Sequence, residues 1–457
     1  MGAAGSAARR EEGEYSPYPT DEQRSRRAGS ARFGDGRLLP RAARLTSARN
    51  PARRCEADVI ETEVLSSISR VEAAAWDALA GDDDPFLEHA FLNALELSDS
   101  VGAAAGCVPR LIVARQGGRL VGAVPLYLKT NSYGEFIFDW GWAEAAQRAG
   151  IRYYPKLVAA VPFTPATGHR LLIAPGADAA AVTRALLRAV EQVATDERAS
   201  SVHFLFCTEL EKGALAEARY APRLSMQFHW ENRQPEMFAD FDDYLSIFRS
   251  RNRKQVRKER AAAAAHGLTF RTATGAELDD RDWAALYRFY SANVARHHGI
   301  EYLQPGFFEV ARQTLSQRLV ATLAYRGGTP VAGTVNFEKG RHLYGRYWGC
   351  LEEYEMLHFE LCYYRLIERA IARRCTRFEA GAQGEHKLKR GLLPSFTHSA
   401  HWIRHPQLGA AIRDYVAAEE GSVRKRAEMY ASHSPFRNAS GEDGDGGGGG
   451  GDFDGAP

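Results

Sequence analysis

Apolar residues in this chain gather into short runs broken by glycine, and one such arrangement occurs twice. Residues 110–127 read as an apolar run, a Gly-Gly step and a second apolar run. Residues 319–337 repeat the pattern. Each predicts two strands around a tight turn, at Gly117-Gly118 and Gly327-Gly328, because two successive glycines supply the positive φ that a two-residue hairpin requires. Ahead of each copy, residues 71–79 and 282–289 have helical spacing and carry Trp76 and Trp283 in matching places. A helix followed by a meander, given twice, predicts a duplicated α/β unit. Duplication sets a ligand at the seam between halves.

The segments between these copies predict further elements. Residues 178–196 form a helix with Asp178 as N-cap, and residues 201–206 a buried strand, so β and α alternate as in an α/β fold. Residues 151–170 hold Pro155, Pro162 and Pro165, which rule out a regular helix, while their apolar character rules out simple exposure. A structured loop with Tyr153, Tyr154, Lys156, Thr164, Thr167, His169 and Arg170 is either a pocket wall or a packed connection. Residues 241–260 predict one helix, with Asp242 and Asp243 in its first turn complementing the helix dipole. It carries Arg249, Arg253, Arg257 and Arg260 on one face and Arg251, Lys254 and Lys258 on a second stripe, with Gly267 as its stop signal. Guanidinium groups stacked on one face call for an anion, or else the face is a solvated basic surface. A strand over 342–349 offers Arg346 and Trp348 to a cleft. A helix over 357–374 follows, with His358 more a structural residue than a catalytic one.

Composition narrows the function. A chain of 457 residues with 45% apolar and 25% charged residues is long enough for two or three ordinary domains. No run of about 18 apolar residues is present, which excludes a helical membrane span. The net charge of +2 conceals twelve arginines against six acids in residues 1–55 and five acids without a base after residue 437. The body between is near neutral, so overall charge gives nucleic-acid binding little support. Six cysteines without a CxxC pair exclude a zinc ribbon or disulfide scaffold and fit a reducing compartment. The Arg-rich leader 1–55 is transit-like or a disordered extension; it predicts a plastid or mitochondrial location in the first case and a cytoplasmic one otherwise. The glycine-rich tail 438–457 is expected to be disordered.

The densest chemistry lies in residues 378–394, where a strand carrying Glu379 leads through Gly381 and Gly384 to His386, Lys387, Lys389 and Arg390. His386 has the chemistry of a general base, and Lys387 or Arg390 that of an oxyanion or phosphate partner. His398, His401 and His405 fit no common metal spacing, so no metal is predicted there.

The blocks 153–170, 251–260, 344–349 and 384–394 carry a resemblance. Together they resemble a bacterial family described as peptidoglycan biosynthesis/recognition, grouped with the Fem-type aminoacyltransferases in the GNAT clan of N-acyltransferases. The resemblance implies an α/β (α+β) fold of two tandem GNAT-like domains with mixed central sheets, over 56–235 and 236–437. It implies transfer of an acyl group, with aminoacyl-tRNA or acyl-CoA as co-substrate and no bound cofactor, to a small-molecule or peptide amine. The acidic run Glu352, Glu353 and Glu355 after Gly349 departs from the pyrophosphate-cradling loop of acyl-CoA enzymes. Lys387 lies in the stretch where Fem-type relatives place a basic residue at the acyl centre, with His386 and Arg390 beside it. Lys156, Arg253 and Arg257 would hold an anionic part of donor or acceptor, and His169, Arg170, Arg346, Trp348 and Lys389 are further substrate-binding candidates. Two other readings stand beside this one: a catalytically silent protein that binds a muropeptide-like or other anionic ligand, and an RNA-binding module using the basic helix.

Overall fold

The structure, a computed structural model, describes residues 59–382 and 384–437. The expectations for the leader 1–55 and the tail 438–457 lie outside the described residues. The first part of the chain forms β1 (Ile60–Leu65), β2 (Cys107–Pro109), β3 (Leu111–Gln116), β4 (Arg119–Val124), β5 (Leu126–Lys129), β6 (Lys156–Ala159), β7 (Leu172–Ile173), β8 (Ser201–Cys207) and β9 (Ala221–Glu231). The second part forms β10 (Thr269–Thr274), β11 (Leu319–Arg326), β12 (Thr329–Lys339), β13 (His342–Cys350), β14 (Arg377–Glu379) and β15 (Leu393–Ile403).

Both Gly-Gly steps close antiparallel hairpins, β3–β4 and β11–β12. Gly117 and Gly118 have φ of 57° and 79°, and Gly327 and Gly328 have 56° and 80°, the paired positive values of a type I′ turn. The register slips at Ala114/Arg115 in one hairpin and at Ala324/Tyr325 in the other. Trp76 and Trp283 are both buried, and each indole N–H donates to a main-chain carbonyl, of Leu87 and Gly275 respectively.

A small sheet has the order β1-β3-β4-β7. A large mixed sheet has the order β10-β11-β12-β13-β14-β9-β15-β8-β6-β5-β2. Within it, β13 runs parallel to β14 and β6 parallel to β8. β9 lies between β14 and β15, while β15 lies between β9 and β8. The last strand of each part is therefore built into the sheet next to the other part, and the two share one hydrogen-bonded layer.

Helix Ala179–Asp196 covers the small sheet, with Asp178 capping the Ala181 amide at 3.0 Å. Its Val182, Leu186, Val190 and Val193 recur at helical spacing and are buried against Ile112, Ala114 and Val121. Each contributes about 1.5–3 kcal/mol of apolar burial.

The single helix expected over 241–260 is two: Phe241–Ser246 and Ser250–Ala265. The break has a tertiary cause. The Arg249 amide donates to the Pro435 carbonyl and the Arg437 amide to the Ile247 carbonyl, both at 2.9 Å, while the Phe248 ring is buried beside Phe436. The C-terminal segment thus takes main-chain groups that a continuous helix would use internally. The helix expected over 357–374 runs through a π-helical turn, Glu360–Tyr364, between Leu357–Phe359 and Arg365–Ala372.

Helix Asp280–Arg296 crosses β13 at Gly349, where a Cβ would fall inside the Phe289 main chain. Neither partner is a flexible side chain, so Gly349→Ala must separate helix from sheet. A loss of about 2–4 kcal/mol in unfolding free energy, read by denaturant titration, is the expected result.

The three C-terminal histidines separate. His401 Nδ1 lies 2.7 Å from His203 Nδ1 across the β15–β8 pair, and each ring's Nε2 bonds a serine, Ser399 or Ser201. Burial pushes His203 down to about 3. His405 caps helix Pro406–Ser432 by accepting from the Leu408 amide.

Candidate functional site

β13 and β14 pair only from His342–Arg377 to Tyr344–Glu379. Beyond that point β14 ends, while β13 continues to Cys350 along β12. The opened gap is a cleft of about 580 Å³, closed on one side by the π-helical turn and on another by the turn Glu385–Arg390.

Its charge is one-sided. Arg346, Lys387, His297, His358 and His386 line it, and no Asp or Glu does so among the described residues. Lys387 is 2% exposed, and its ammonium donates to the Gly381 carbonyl at 2.9 Å. Burial pushes its pKa down to about 7, only partly offset by the Cys362 thiol group. The ammonium at the cleft wall is therefore one that loses its proton near neutrality. Gly381 has φ of 84°, and that left-handed bend presents its carbonyl to Lys387.

Arg346 reaches the same cleft from β13. Its guanidinium donates to the Phe163 carbonyl and sits among the Phe86, Phe136 and Tyr347 rings at 5.8, 6.0 and 5.1 Å. Phe163 has a φ of 58° and stacks on Tyr302 at 5.0 Å, so a strained residue of the 151–170 loop aims its carbonyl at the site. The Tyr347 hydroxyl donates to the same carbonyl at 3.4 Å, so the loop stands behind the cleft's lining side chains and is not itself part of the lining.

The uncharged wall consists of Trp348 over His358 at 5.3 Å and Tyr363, whose hydroxyl lies 2.9 Å from His386 Nε2. Packing of the His386 ring against Phe359 and Tyr363 pulls its pKa down to about 4, with the Lys387 and Arg390 charges adding to the effect, although one side of the residue remains exposed. His358 is pushed down to about 3 by burial. Both imidazoles are neutral at pH 7. Where the two strands part, Glu379 is buried; its carboxylate accepts from the Thr167 amide at 3.4 Å, with His229 and Arg377 nearby at 3.9 and 3.8 Å. Burial raises its pKa to about 7.

Of the residues expected at the site, Lys387, His386, Arg346 and Trp348 come together here. The others lie elsewhere, for identifiable reasons. Lys156 is fully buried in β6 and bonded to Glu135, Asp139 and Ser132; burial opposes its charge, but the two carboxylates outweigh it and hold its pKa above the usual lysine value. Arg170 spends its guanidinium on the carbonyls of Ala166, His169 and Leu205. His169 leans on Glu211 at 3.7 Å. Arg253 bonds the Phe248 carbonyl, Arg257 faces Asp242 at 3.5 Å, and Arg260 is held by Glu360 and Glu368. The arginine face is thus largely answered from within the chain. Lys389 points to solvent, and Arg390 turns away from the cleft toward Glu259. Sequence reasoning missed Thr334, Asn336, Cys362 and His297, which line the cleft from β12 and two helices. No motif marks them; strand pairing alone brings them there.

A family described as FemAB-like, peptidoglycan biosynthesis/recognition, matches residues 67–438. The chain belongs to it. No curated protein matches this FemAB-like chain. Among solved structures, the crystal structure of FemX is similar, with 13% identity, TM-score 0.48, and coverage of 75% of this chain and 98% of that one. L-PGS from Bacillus licheniformis has 10% identity and TM-score 0.43, covering 76% and 99%. A tandem GNAT protein from the clavulanic acid biosynthesis pathway has 13% identity and TM-score 0.38, covering 76% and 99%. No helix among the described residues of this FemAB-like protein is long and apolar enough to cross a membrane.

Proposed function

We propose that this FemAB-like protein is an N-acyltransferase that joins an activated acyl group to an amine of an anionic acceptor, and that the reaction takes place in the β13–β14 cleft. One observation carries the reading: Lys387 is a buried ammonium whose partner is a carbonyl, set in an open cleft that has no carboxylate among its described lining residues. Such a group is under-neutralised, and an oxyanion is the partner it lacks. Family membership supports an amino-acid or peptide acceptor and a tRNA-linked donor.

In the proposed step the acceptor's neutral nitrogen attacks the acyl carbon. The carbonyl π electrons move onto oxygen, and Lys387 in its protonated form stabilises that oxyanion. When the tetrahedral centre collapses, the C–N bond is kept and the bond to the donor's oxygen or sulfur breaks. The proton shed by the nitrogen ends on the leaving group, and neutral His386, which lines the same cleft, is assigned to relay it. No covalent enzyme intermediate is involved. Holding both reactants in one cleft contributes roughly 7–11 kcal/mol, and a single oxyanion donor about 3 kcal/mol.

Arg346 is assigned to an anionic group of a substrate outside the reacting bond. Arg346→Gln is expected to raise KM about 10-fold with little change in kcat, since binding shared by ground and transition states acts on KM alone. Steady-state kinetics read the split; a fall in kcat with constant KM would move Arg346 to the reacting centre.

The experiment that tests the function offers the full chain acyl-CoAs and charged tRNAs with a panel of amines, muropeptide precursors included. Mass spectrometry then looks for a new amide. A product identifies the donor; thermal stabilisation by one ligand with no product from any pair would replace the enzyme by a binding protein.

A further inference from the structure

The turn Glu385–Arg390 carries both His386 and Lys387, yet it is a short 3₁₀ segment of six residues whose N-cap makes no side-chain hydrogen bond, and its hold must come from elsewhere. Its support comes from helix Ser250–Ala265. That helix has six basic residues and one acid, Glu259, and the acid faces inward at 6% exposure. The Glu259 carboxylate accepts from Arg390 Nε and Nη2 at 3.0 and 2.9 Å, from Gln255 at 3.1 Å and from the Tyr364 hydroxyl. Arg390 in turn lies 3.3 Å above the Phe359 ring, donates to the His386 carbonyl at 2.7 Å, and accepts through its own carbonyl from the Tyr244 hydroxyl at 3.1 Å. Arg390 is therefore a strut fixed at both ends, with contacts to the turn itself, to Phe359 just before the π-helical turn, and to the helices Phe241–Ser246 and Ser250–Ala265 behind it.

We propose that Glu259 is a positioning residue: through its paired bonds to Arg390 it fixes the Glu385–Arg390 turn so that the Lys387 ammonium stands at the acyl oxygen. The inference rests on the reading of Lys387 as the oxyanion partner. Both guanidinium nitrogens converge on one carboxylate oxygen, Oε2, while the other oxygen is held by Gln255, so charge-assisted bonds fix the guanidinium in a way that a single packing contact does not. Removing the charge of Glu259 leaves Arg390 buried without its counterion, and the guanidinium must then move toward water and draw the turn with it.

The test uses the full chain and needs no substrate. Trace acetic anhydride labels free amines across a pH series, and peptide mass spectrometry reads the Lys387 midpoint. In the unsubstituted protein that midpoint is expected at about 7, because burial depresses it. In Glu259→Gln it is expected to rise by at least about one pH unit, because burial is what depresses it and the displaced turn admits water. Glu259→Asp, which keeps the charge, is expected to restore most of the shift. A purely structural Glu259 would change thermal stability and leave the midpoint in place, and an unchanged midpoint in folded Glu259→Gln overturns the proposal. Should that variant fail to fold, Arg390→Lys serves instead: it keeps the charge, loses the fork, and must also raise the midpoint. Transfer activity does not enter this readout. A shifted midpoint without transfer would reject the acyltransferase reading and keep the positioning role, and transfer with an unshifted midpoint would do the reverse.

Discussion

Lys387→Met is expected to lower kcat for acyl transfer about 10²–10³-fold and, at the same pH, to make the protein more stable. The two effects have one origin. In the unfolded chain a lysine holds its proton to near its ordinary value of 10.5, whereas burial lets Lys387 release it at about 7. The folded state therefore binds fewer protons between those values, and its stability rises with pH across that window. At and below pH 7 the fold carries the full penalty, of the order of 5 kcal/mol at about 1.4 kcal/mol per unit; above pH 10.5 it carries none. Methionine has similar reach and no charge, so it removes the penalty while also removing the ammonium from the cleft. Denaturant titration at pH 6.5 and pH 10 checks the sign: the variant gains stability at the lower pH and shows little difference at the higher one. A lysine retained for the fold alone would give the opposite result.

The second large effect is at Glu379. Its carboxyl keeps a proton to about pH 7 in the fold, against an ordinary value of 4.5. The folded state thus binds more protons between those two values, so stability is greatest below 4.5, declines as pH rises toward 7 and stays low above it. The deficit is about 3 kcal/mol on the alkaline side. Glu379→Gln has no proton to lose and can still accept from the Thr167 amide through its side-chain oxygen. Its unfolding free energy is expected to match the unsubstituted protein near pH 4.5 and exceed it by about 3 kcal/mol at pH 8. Parallel pH curves for the two proteins would show that Glu379 is ionised throughout and that its neighbours compensate for burial.

Much of the framework was legible because local chemistry dictated it. Gly117-Gly118 and Gly327-Gly328 could only be turns of one kind, and Asp178 marked a helix start that the structure places at Ala179. Lys387, His386, Arg346 and Trp348 were legible as chemistry, the first two in a block dense with charged residues and the other two in an aromatic strand. What sequence could not supply was direction. Lys156 and Arg170 read as ligand-binding side chains, yet Glu135, Asp139 and three carbonyls absorb them, and those partners lie up to 35 residues away. The break at residues 247–249 was invisible because its cause is the chain near Phe436. Arg390 could not be told from Lys387 by spacing; Glu259, from another helix, draws one into the interior behind the cleft and leaves the other at the cleft wall.

The proposal that Lys387 is the oxyanion partner is tested most directly by single-turnover transfer. Full-length protein and Lys387→Met are each given a saturating donor and amine pair identified in the transfer screen, and amide formation is followed by mass spectrometry. The predicted result is a rate about 10²–10³-fold lower in a variant that is folded and at least as stable at pH 6.5. Equal rates in the two proteins would place the chemistry away from Lys387 and contradict the account.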